Sequence, residues 1–236
     1  DLHKPDLPPL ETYQLPKVVQ HPPQVSPTGN RTLISEQDFQ STAPGTLPAG
    51  WQVGAGAPEV IASHIGGGPG SPKERNRVLR LQSQDYAFLL FDQPERGRFE
   101  IEFDYFSGEP GEGLLLSTLG RFDASDPRRR ETSYYTGGVG AYLHWNRRFI
   151  TYYTEAEHWT RIARWKLKQW SRVRLLFDVS KQAFDLYAGE DGAEFASSGV
   201  FRHKQDAAFG IALRHRGDGY PVYLDNLTIR RIDDIP

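Results

Sequence analysis

The most regular pattern in the chain is an alternation of apolar and acidic residues from Arg98 to Tyr105. The apolar positions are Phe99, Ile101, Phe103 and Tyr105, and the acidic positions are Glu100, Glu102 and Asp104. Successive side chains of a β-strand point to opposite faces of its sheet, so this pattern predicts a strand with one buried face. We expect the three carboxylates to lie on a solvated outer face.

The segment from Arg172 to Val179 repeats the alternation, and a third apolar run follows near Leu213. Such runs need a second sheet to cover their apolar faces. The residues that we expect to be buried between the two sheets are Phe99, Ile101, Phe103, Val173, Leu175, Phe177, Phe209, Ile211 and Leu213.

Many short segments of this kind follow one another, separated by turn residues. Asp191-Gly192, between two alternating runs, is a hairpin signal. The pattern predicts an all-β protein, a two-sheet antiparallel β-sandwich of the jelly-roll type. Residues 1–31 are rich in proline, which is poorly suited to a central strand. We therefore expect residues 1–31 to form an arm or linker and residues 32–236 to form the domain.

Composition narrows the range of partners. The net charge is −2, which is not typical of a nucleic-acid-binding protein, and no apolar run is long enough to predict membrane insertion. The chain has no cysteine or methionine and begins at Asp1. We expect a piece of a longer secreted or cell-envelope protein, with its signal peptide outside this chain and further domains as partners.

Five segments together carry a resemblance to a known family. They are Leu47-Pro-Ala-Gly-Trp51, the strand from Phe99 to Asp104, Trp170-Ser-Arg-Val-Arg-Leu-Leu-Phe-Asp178, Phe184-Asp-Leu-Tyr187 and Val222-Tyr-Leu-Asp-Asn-Leu-Thr-Ile229. This set resembles the concanavalin A-like lectin/glucanase superfamily, especially its laminin-G-like jelly-roll modules. The closing strand also resembles that of galactose-binding-like jelly rolls, which are the competing fold.

The resemblance raises the question of glycoside hydrolysis. Retaining glucanases of the superfamily carry Glu-x-Asp-x-(x)-Glu on one strand, and their two working carboxylates must lie about 5 Å apart. Glu100, Glu102 and Asp104 share one face, but their order departs from that motif at the second and third acids. They are catalytic candidates, and a solvated face is the favoured interpretation.

A second enzymatic hypothesis is a polysaccharide lyase. Lyases of jelly-roll fold use Tyr or His for proton transfer and Arg or Gln to neutralise a uronate. Tyr142 and His144 are two residues apart and so share one face of a strand, and Arg147, Arg148 and Arg214 are basic candidates. The signature strings of that family are absent, so a packed or surface histidine is favoured.

The third hypothesis is sugar binding without catalysis. The densest aromatic run comprises Tyr134, Tyr135, Tyr142, Trp145, Tyr152, Tyr153 and Trp159. Aromatic faces with polar neighbours match the apolar and hydroxyl surfaces of a sugar. We assign Leu143 and Trp145 to the core. Tyr142 and His144 are then expected to be exposed and, with Arg214 as a polar partner, to bind a polysaccharide or glycan.

The resemblance also implies a structural Ca²⁺ ion. Many sandwiches of the superfamily hold one with an aspartate of the last strand and oxygen atoms near the first. Asp225 matches the last-strand position, and Asp38 is the first-strand candidate. The alternative is that Asp225 accepts backbone N–H hydrogen bonds at a turn.

The function that we expect is a sugar-binding module. A glycoside hydrolase or lyase of the same fold and a structural or protein-interaction module remain alternatives. Paired carboxylates in a groove would favour an enzyme, exposed aromatic side chains would favour binding, and a flat polar face would favour an interaction module.

Overall fold

The computed structural model describes residues 17–65, 68, 76–82, 84–109, 112–120, 138–146, 148–154, 159–189, 191–217 and 220–234. Within these ranges the chain forms fifteen β-strands and no helix. All strand pairs are antiparallel, and the strands divide into two sheets. The predicted all-β, two-sheet sandwich is therefore confirmed.

The first sheet has eight strands. Its main path is β13 (Glu194–Val200), β12 (Ala183–Ala188), β11 (Ser171–Asp178), β6 (Arg98–Ser107), β15 (Val222–Asp233), β4 (Arg77–Leu81) and β3 (Glu59–Ala62). The eighth strand, β1 (Asn30–Gln37), pairs with the later part of β15, while β4 pairs with the first residues of β15.

The second sheet has seven strands. Their order is β10 (Trp159–Arg164), β9 (Phe149–Tyr153), β8 (Val139–Asn146), β7 (Glu112–Leu119), β14 (Ala208–His215), β5 (Tyr86–Glu95) and β2 (Trp51–Ala55). Strands from distant parts of the chain are neighbours in both sheets, so most of the pairing is non-local.

The core lies between the two sheets where the alternation places it. Phe99 on β6 is paired with Phe177 on β11, and their rings stack with centroids 4.9 Å apart. Of the nine residues expected to be buried, eight are at most 1% exposed. The exception is Phe209, which is only partly buried because the pairing of β14 with β5 shifts register between Ala208 and Gly210.

The predicted hairpin is also present. Strands β12 and β13 pair antiparallel on either side of Asp191-Gly192. Gly192 has φ of +69°, a left-handed conformation that glycine adopts without steric cost. Because an Asp-Gly pair combines a short polar side chain with this freedom, the turn could be recognised from two residues alone.

The residues before β1 lie against the first sheet. Asp185 on β12 accepts hydrogen bonds from the backbone N–H of Gln24 (2.9 Å) and Val25 (3.0 Å). The Arg98 guanidinium donates to the carbonyl oxygens of Ser26 and Thr28 at 2.8 and 2.7 Å. We call residues 17–29 the arm. Residues 1–16 of the predicted arm or linker lie outside the described residues, and β1 begins two residues before the predicted domain boundary.

Candidate functional site

The outer face of β8 carries the two predicted ligand-binding residues of that strand. Leu143 and Trp145 are fully buried in the core, as expected, which places Tyr142 and His144 on the opposite face. The expectation that these two side chains are exposed is wrong, because they are only 2% and 1% exposed. Other side chains from the neighbouring strands and loops pack over them.

Trp159, the first residue of β10, packs over the Tyr142 and His144 side chains. Its ring centroid lies 5.7 Å from that of Tyr142, 5.4 Å from that of His144 and 4.8 Å from that of Tyr153. We call these four residues the Trp159 cluster. Trp159 itself is 39% exposed, so the cluster presents one large aromatic surface to solvent above a buried layer.

Two arginines lie against the cluster. The Arg202 guanidinium carbon lies 4.4 Å from the centroid of the Tyr153 ring and 5.8 Å from that of Tyr142. The Arg216 guanidinium carbon lies 5.9 Å from the centroid of Trp159. Cations in this position are attracted to the electron-rich faces of aromatic rings.

Burial, followed by electrostatic repulsion from Arg216 and His215, lowers the pKa of His144 to about 4. The imidazole is therefore neutral at neutral pH. A neutral imidazole could accept a proton, but at 1% exposure it is covered by Trp159 and does not meet a polymer directly. The arrangement favours a supporting role for Tyr142 and His144 over the proton transfer of a lyase. Arg147, a basic candidate of the lyase hypothesis, lies outside the described residues.

Arg214, the third predicted ligand-binding residue, lies apart from the cluster. Leu115 on β7 pairs with His144 on one side and with Arg214 on the other. Two strand spacings therefore separate Arg214 from His144, about 10 Å in all. The Arg214 side chain is partly buried and donates from Nη2 to Gln84 Oε1 at 3.0 Å.

In the sequence, Trp159 stands out only as one residue of an aromatic run, and no local pattern singles out Arg202 or Arg216. A register shift between Arg161 and Ala163 interrupts the alternation of β10. The alternation of side chains therefore does not predict which side of that strand is exposed. The two arginines follow strands rather than forming part of them, and only the fold brings them to β8.

The acidic face of β6 is not solvated, and the prediction that it would be is wrong. Asp104 and Glu100 are 0% and 2% exposed, while Glu102 is partly buried. Arg172 on β11 binds Asp104 through two hydrogen bonds, Nε to Oδ1 at 2.9 Å and Nη2 to Oδ2 at 3.1 Å. The neighbouring strands thus place a guanidinium group against each buried carboxylate.

Glu100 is surrounded by guanidinium groups from three strands. The side chains of Arg31, Arg174 and Arg230 lie 2.9, 3.1 and 3.2 Å from its carboxylate oxygens. Burial by itself raises the pKa of Glu100, but the hydrogen bonds and charges of Arg31 and Arg174 outweigh it and lower the pKa below its usual value. A carboxylate held ionised in this way is unsuited to donating a proton as a general acid.

The two calcium candidates are linked but do not form an oxygen cage. Asp225 is fully buried and accepts N–H hydrogen bonds from Gly68, Asn76 and Asn226 at 3.1, 2.9 and 2.9 Å. The exposed Asp38 accepts from the backbone N–H of Gln40 at 2.9 Å, and Gln40 in turn donates to Asn76.

Calcium requires six to eight oxygen ligands. The three hydrogen bonds above bring N–H donors to Asp225, and within the described ranges no group of three or more His, Asp or Glu side chains could hold a metal ion. The described carboxylates alone therefore do not complete a calcium shell at Asp225 and Asp38, and the calcium site stays a prediction.

Comparison with known proteins supports the fold. No family model and no curated sequence matches the chain. Among solved structures it is similar to a conserved carbohydrate esterase of the Shiga toxin-encoding bacteriophage phi24B, with a TM-score of 0.58 and 11% identity over 87% of this chain and 100% of that one. A sialidase matches with a TM-score of 0.57 and 9% identity over 84% of this chain, which spans only 18% of that protein.

Two further solved structures are similar to this chain. The carbohydrate recognition domain of Emp47p has a TM-score of 0.51 and 11% identity over 85% of this chain and 96% of that one. A lectin from Bauhinia forficata has a TM-score of 0.50 and 13% identity over 88% of this chain and 100% of that one. Identities this low establish fold alone. The chain therefore has the β-sandwich fold of the concanavalin A-like lectins and glucanases.

Proposed function

We propose that this chain is a glycan-binding module and that Trp159 is its binding platform. The observation that carries the proposal is the partly exposed Trp159 ring, fixed from below by Tyr142, His144 and Tyr153. A rigid indole surface can stack on the C–H face of a sugar ring at little conformational cost. Guanidinium groups beside it offer hydrogen bonds to hydroxyl or acidic substituents.

The fold is consistent with this role. By their names, one solved protein of the same architecture is a lectin in complex with GalNAc, and another is a carbohydrate recognition domain. In this proposal Tyr142 and His144 hold the platform, and Arg214, two strands away, contacts a longer glycan. The place of the module within a larger secreted or cell-envelope protein remains a prediction.

The test is titration of a panel of mono- and polysaccharides by calorimetry, with GalNAc included. We expect saturable binding by the native chain. Trp159→Ala should weaken it about tenfold or more, since loss of an aromatic stacking partner costs up to about 1.5 kcal/mol beyond the area it buries.

The matched control is Leu33→Ala, which removes a 55% exposed apolar side chain from β1 on the other sheet. This variant should bind as the native chain does. Equal affinity of Trp159→Ala and the native chain, or no binding of any sugar in the panel, would contradict the proposal.

A further inference from the structure

A cavity of about 580 Å³ lies between the two sheets, near their edge strands β10 and β13. It sits where residues 165–170 cross from the end of β10 to the start of β11. This volume falls within the range of about 300–1,000 Å³ that is typical of small-molecule pockets. The cavity is separate from the Trp159 cluster, which lies on the outer face of the second sheet.

Aromatic and aliphatic side chains form most of its wall. The ring of Tyr105 lies 5.8 Å from that of Trp145 and 5.3 Å from that of Trp165, measured between centroids. Aliphatic groups from both sheets complete the apolar surface: Ile150, Ile162, Val173 and Ala196. An apolar molecule placed here would contact rings from both sheets at once.

The wall also contains polar side chains, including Gln169 and Ser171, and three of its polar groups are indole N–H groups. Trp145, Trp165 and Trp170 all line the cavity, and the indole Nε1 of each is buried without a hydrogen-bond partner among the residues that the structure describes. Trp145 and Trp165 are 0% and 8% exposed. Buried N–H groups are nearly always paired in folded proteins, so three donors along one cavity point to an acceptor that occupies it.

Among the described residues that line the cavity, positively charged side chains outnumber negatively charged ones at its mouth. Arg164 and Lys166 are exposed there, together with one carboxylate, that of Glu194. The arm contributes Val18 and Gln20 to the lining, and it is held in place nearby by the Val19 N–H, which donates to the Arg161 carbonyl oxygen at 2.8 Å. A negatively charged ligand would be favoured over a positively charged one.

We propose that this cavity binds a small amphipathic anion, whose apolar body packs on the aromatic wall and whose carboxylate- or sulfonate-type oxygens accept hydrogen bonds from the indole N–H groups. Each indole N–H group can donate a hydrogen bond to an oxygen acceptor, and none can accept one.

Two matched fluorescent probes test this. The first, 8-anilinonaphthalene-1-sulfonate, has an apolar body and a sulfonate, and N-phenyl-1-naphthylamine is the same body without the sulfonate. We expect the sulfonate probe to bind the native chain at one saturable site, with energy transfer from tryptophan, and the neutral probe to bind at least tenfold more weakly.

Trp165→Phe keeps an aromatic ring and removes one donor, so it should weaken binding of the sulfonate probe about tenfold. Trp51→Phe is the control, because Trp51 is a core tryptophan outside the cavity whose Nε1 is also buried and without a partner in the described part of the chain. It should leave the affinity unchanged. Ala196→Phe should fill the cavity and abolish binding while the circular dichroism and the cooperative melting transition are retained.

Three results would overturn the proposal. They are no saturable binding of the sulfonate probe, equal affinity of the two probes, or equal affinity of the Trp165→Phe and Trp51→Phe variants. If Ala196→Phe does not fold, the comparison of the two tryptophan variants still decides, because both keep an aromatic ring at the altered position.

Discussion

Buried polar side chains on the outer faces of both sheets are the main feature at the scale of single residues. Glu100, Asp104 and Asp185 lie on the first sheet and His144 on the second, and all are at most 2% exposed. The cost of burying these polar groups is offset in two ways. The acids accept hydrogen bonds from guanidinium or backbone N–H groups, whereas His144 becomes neutral because burial lowers its pKa.

The lowered pKa of His144 predicts a loss of stability in acid. The pKa falls from 6.5 to about 4 on folding, so between these values the unfolded chain binds the proton and the folded chain does not. The free energy of unfolding is therefore not reduced by His144 above pH 6.5. It falls as the pH decreases from 6.5 to 4, by about 3 kcal/mol in all.

His144→Gln should remove this part of the pH dependence. The measurement is the free energy of unfolding in urea at pH 7 and pH 4.5 for the native chain and the variant. His64→Gln, at an exposed position, is the control. The same pH dependence in the native chain and the His144→Gln variant would show that folding does not lower the pKa of His144.

The pair of Arg172 and Asp104 makes a second prediction at this scale. Arg172→Met leaves the fully buried carboxylate of Asp104 without its bidentate partner. The expected cost is about 3 kcal/mol of unfolding free energy, as for other broken buried pairs. Asp234→Ala removes the 94% exposed partner of Arg98 and should cost less than about 1 kcal/mol. Similar losses in the two variants would show that the buried pair is not structurally important.

At the scale of elements, the arm connects the two sheets. The Val19 N–H donates to the carbonyl oxygen of Arg161 on β10, and the His21 N–H donates to Ser197 Oγ on β13. Gln24 and Val25 are then held by Asp185. The arm thus bridges the edge strands of both sheets and covers part of the outer face of the first, which blunts edges that could otherwise pair with another chain.

Asp185→Ala should release the arm. Two backbone N–H groups lose their acceptor, and the expected loss is about 1–3 kcal/mol of stability, with faster amide exchange at Gln24 and Val25. The measurement is hydrogen exchange by mass spectrometry over residues 17–29. Asp191→Ala, in the exposed turn between β12 and β13, is the control. Unchanged exchange in Asp185→Ala would mean that other contacts suffice to hold the arm.

At the scale of the whole molecule, two sheets enclose one extended core without any contribution from helices in the described part of the chain. The described residues include no helix long and apolar enough to cross a membrane. The long strand β15 organises the first sheet, because β6 lies along one side of it while β4 and β1 share the other. Because N–H donors already bind the Asp225 carboxylate, we expect stability to depend on packing and ion pairs within the chain more than on a bound ion.

Chelation tests that expectation. Because the Asp225 carboxylate already accepts three N–H hydrogen bonds, excess EDTA should leave the midpoint of thermal unfolding unchanged. A ligand that binds only the folded state raises the midpoint with its concentration. A midpoint that rises with added Ca²⁺ and falls with EDTA would instead support the calcium site predicted from the resemblance to the superfamily, and Asp225→Asn should then abolish the rise.

The alternation of apolar and polar residues is sufficient to predict which side of each strand enters the core. Period two assigned Phe99 and Ile101, and likewise Leu143 and Trp145, to the interior, and all four are buried there. The same alternation, with the Asp-Gly turn, was enough to predict an antiparallel sandwich. These features are local, because a strand's side-chain directions follow from its own backbone geometry.

The side chains that lie over the outer faces, in contrast, depend on how distant parts of the chain pack together. Alternation shows that Tyr142 and Glu100 point away from the core, but it carries no information on residues distant in sequence that cover them. Trp159 and Arg202 cover Tyr142, and Arg31 and Arg174 cover Glu100. These contacts join strands and loops that are brought together by non-local pairing, so burial, pKa and accessibility at the candidate site follow from the fold and not from the local pattern.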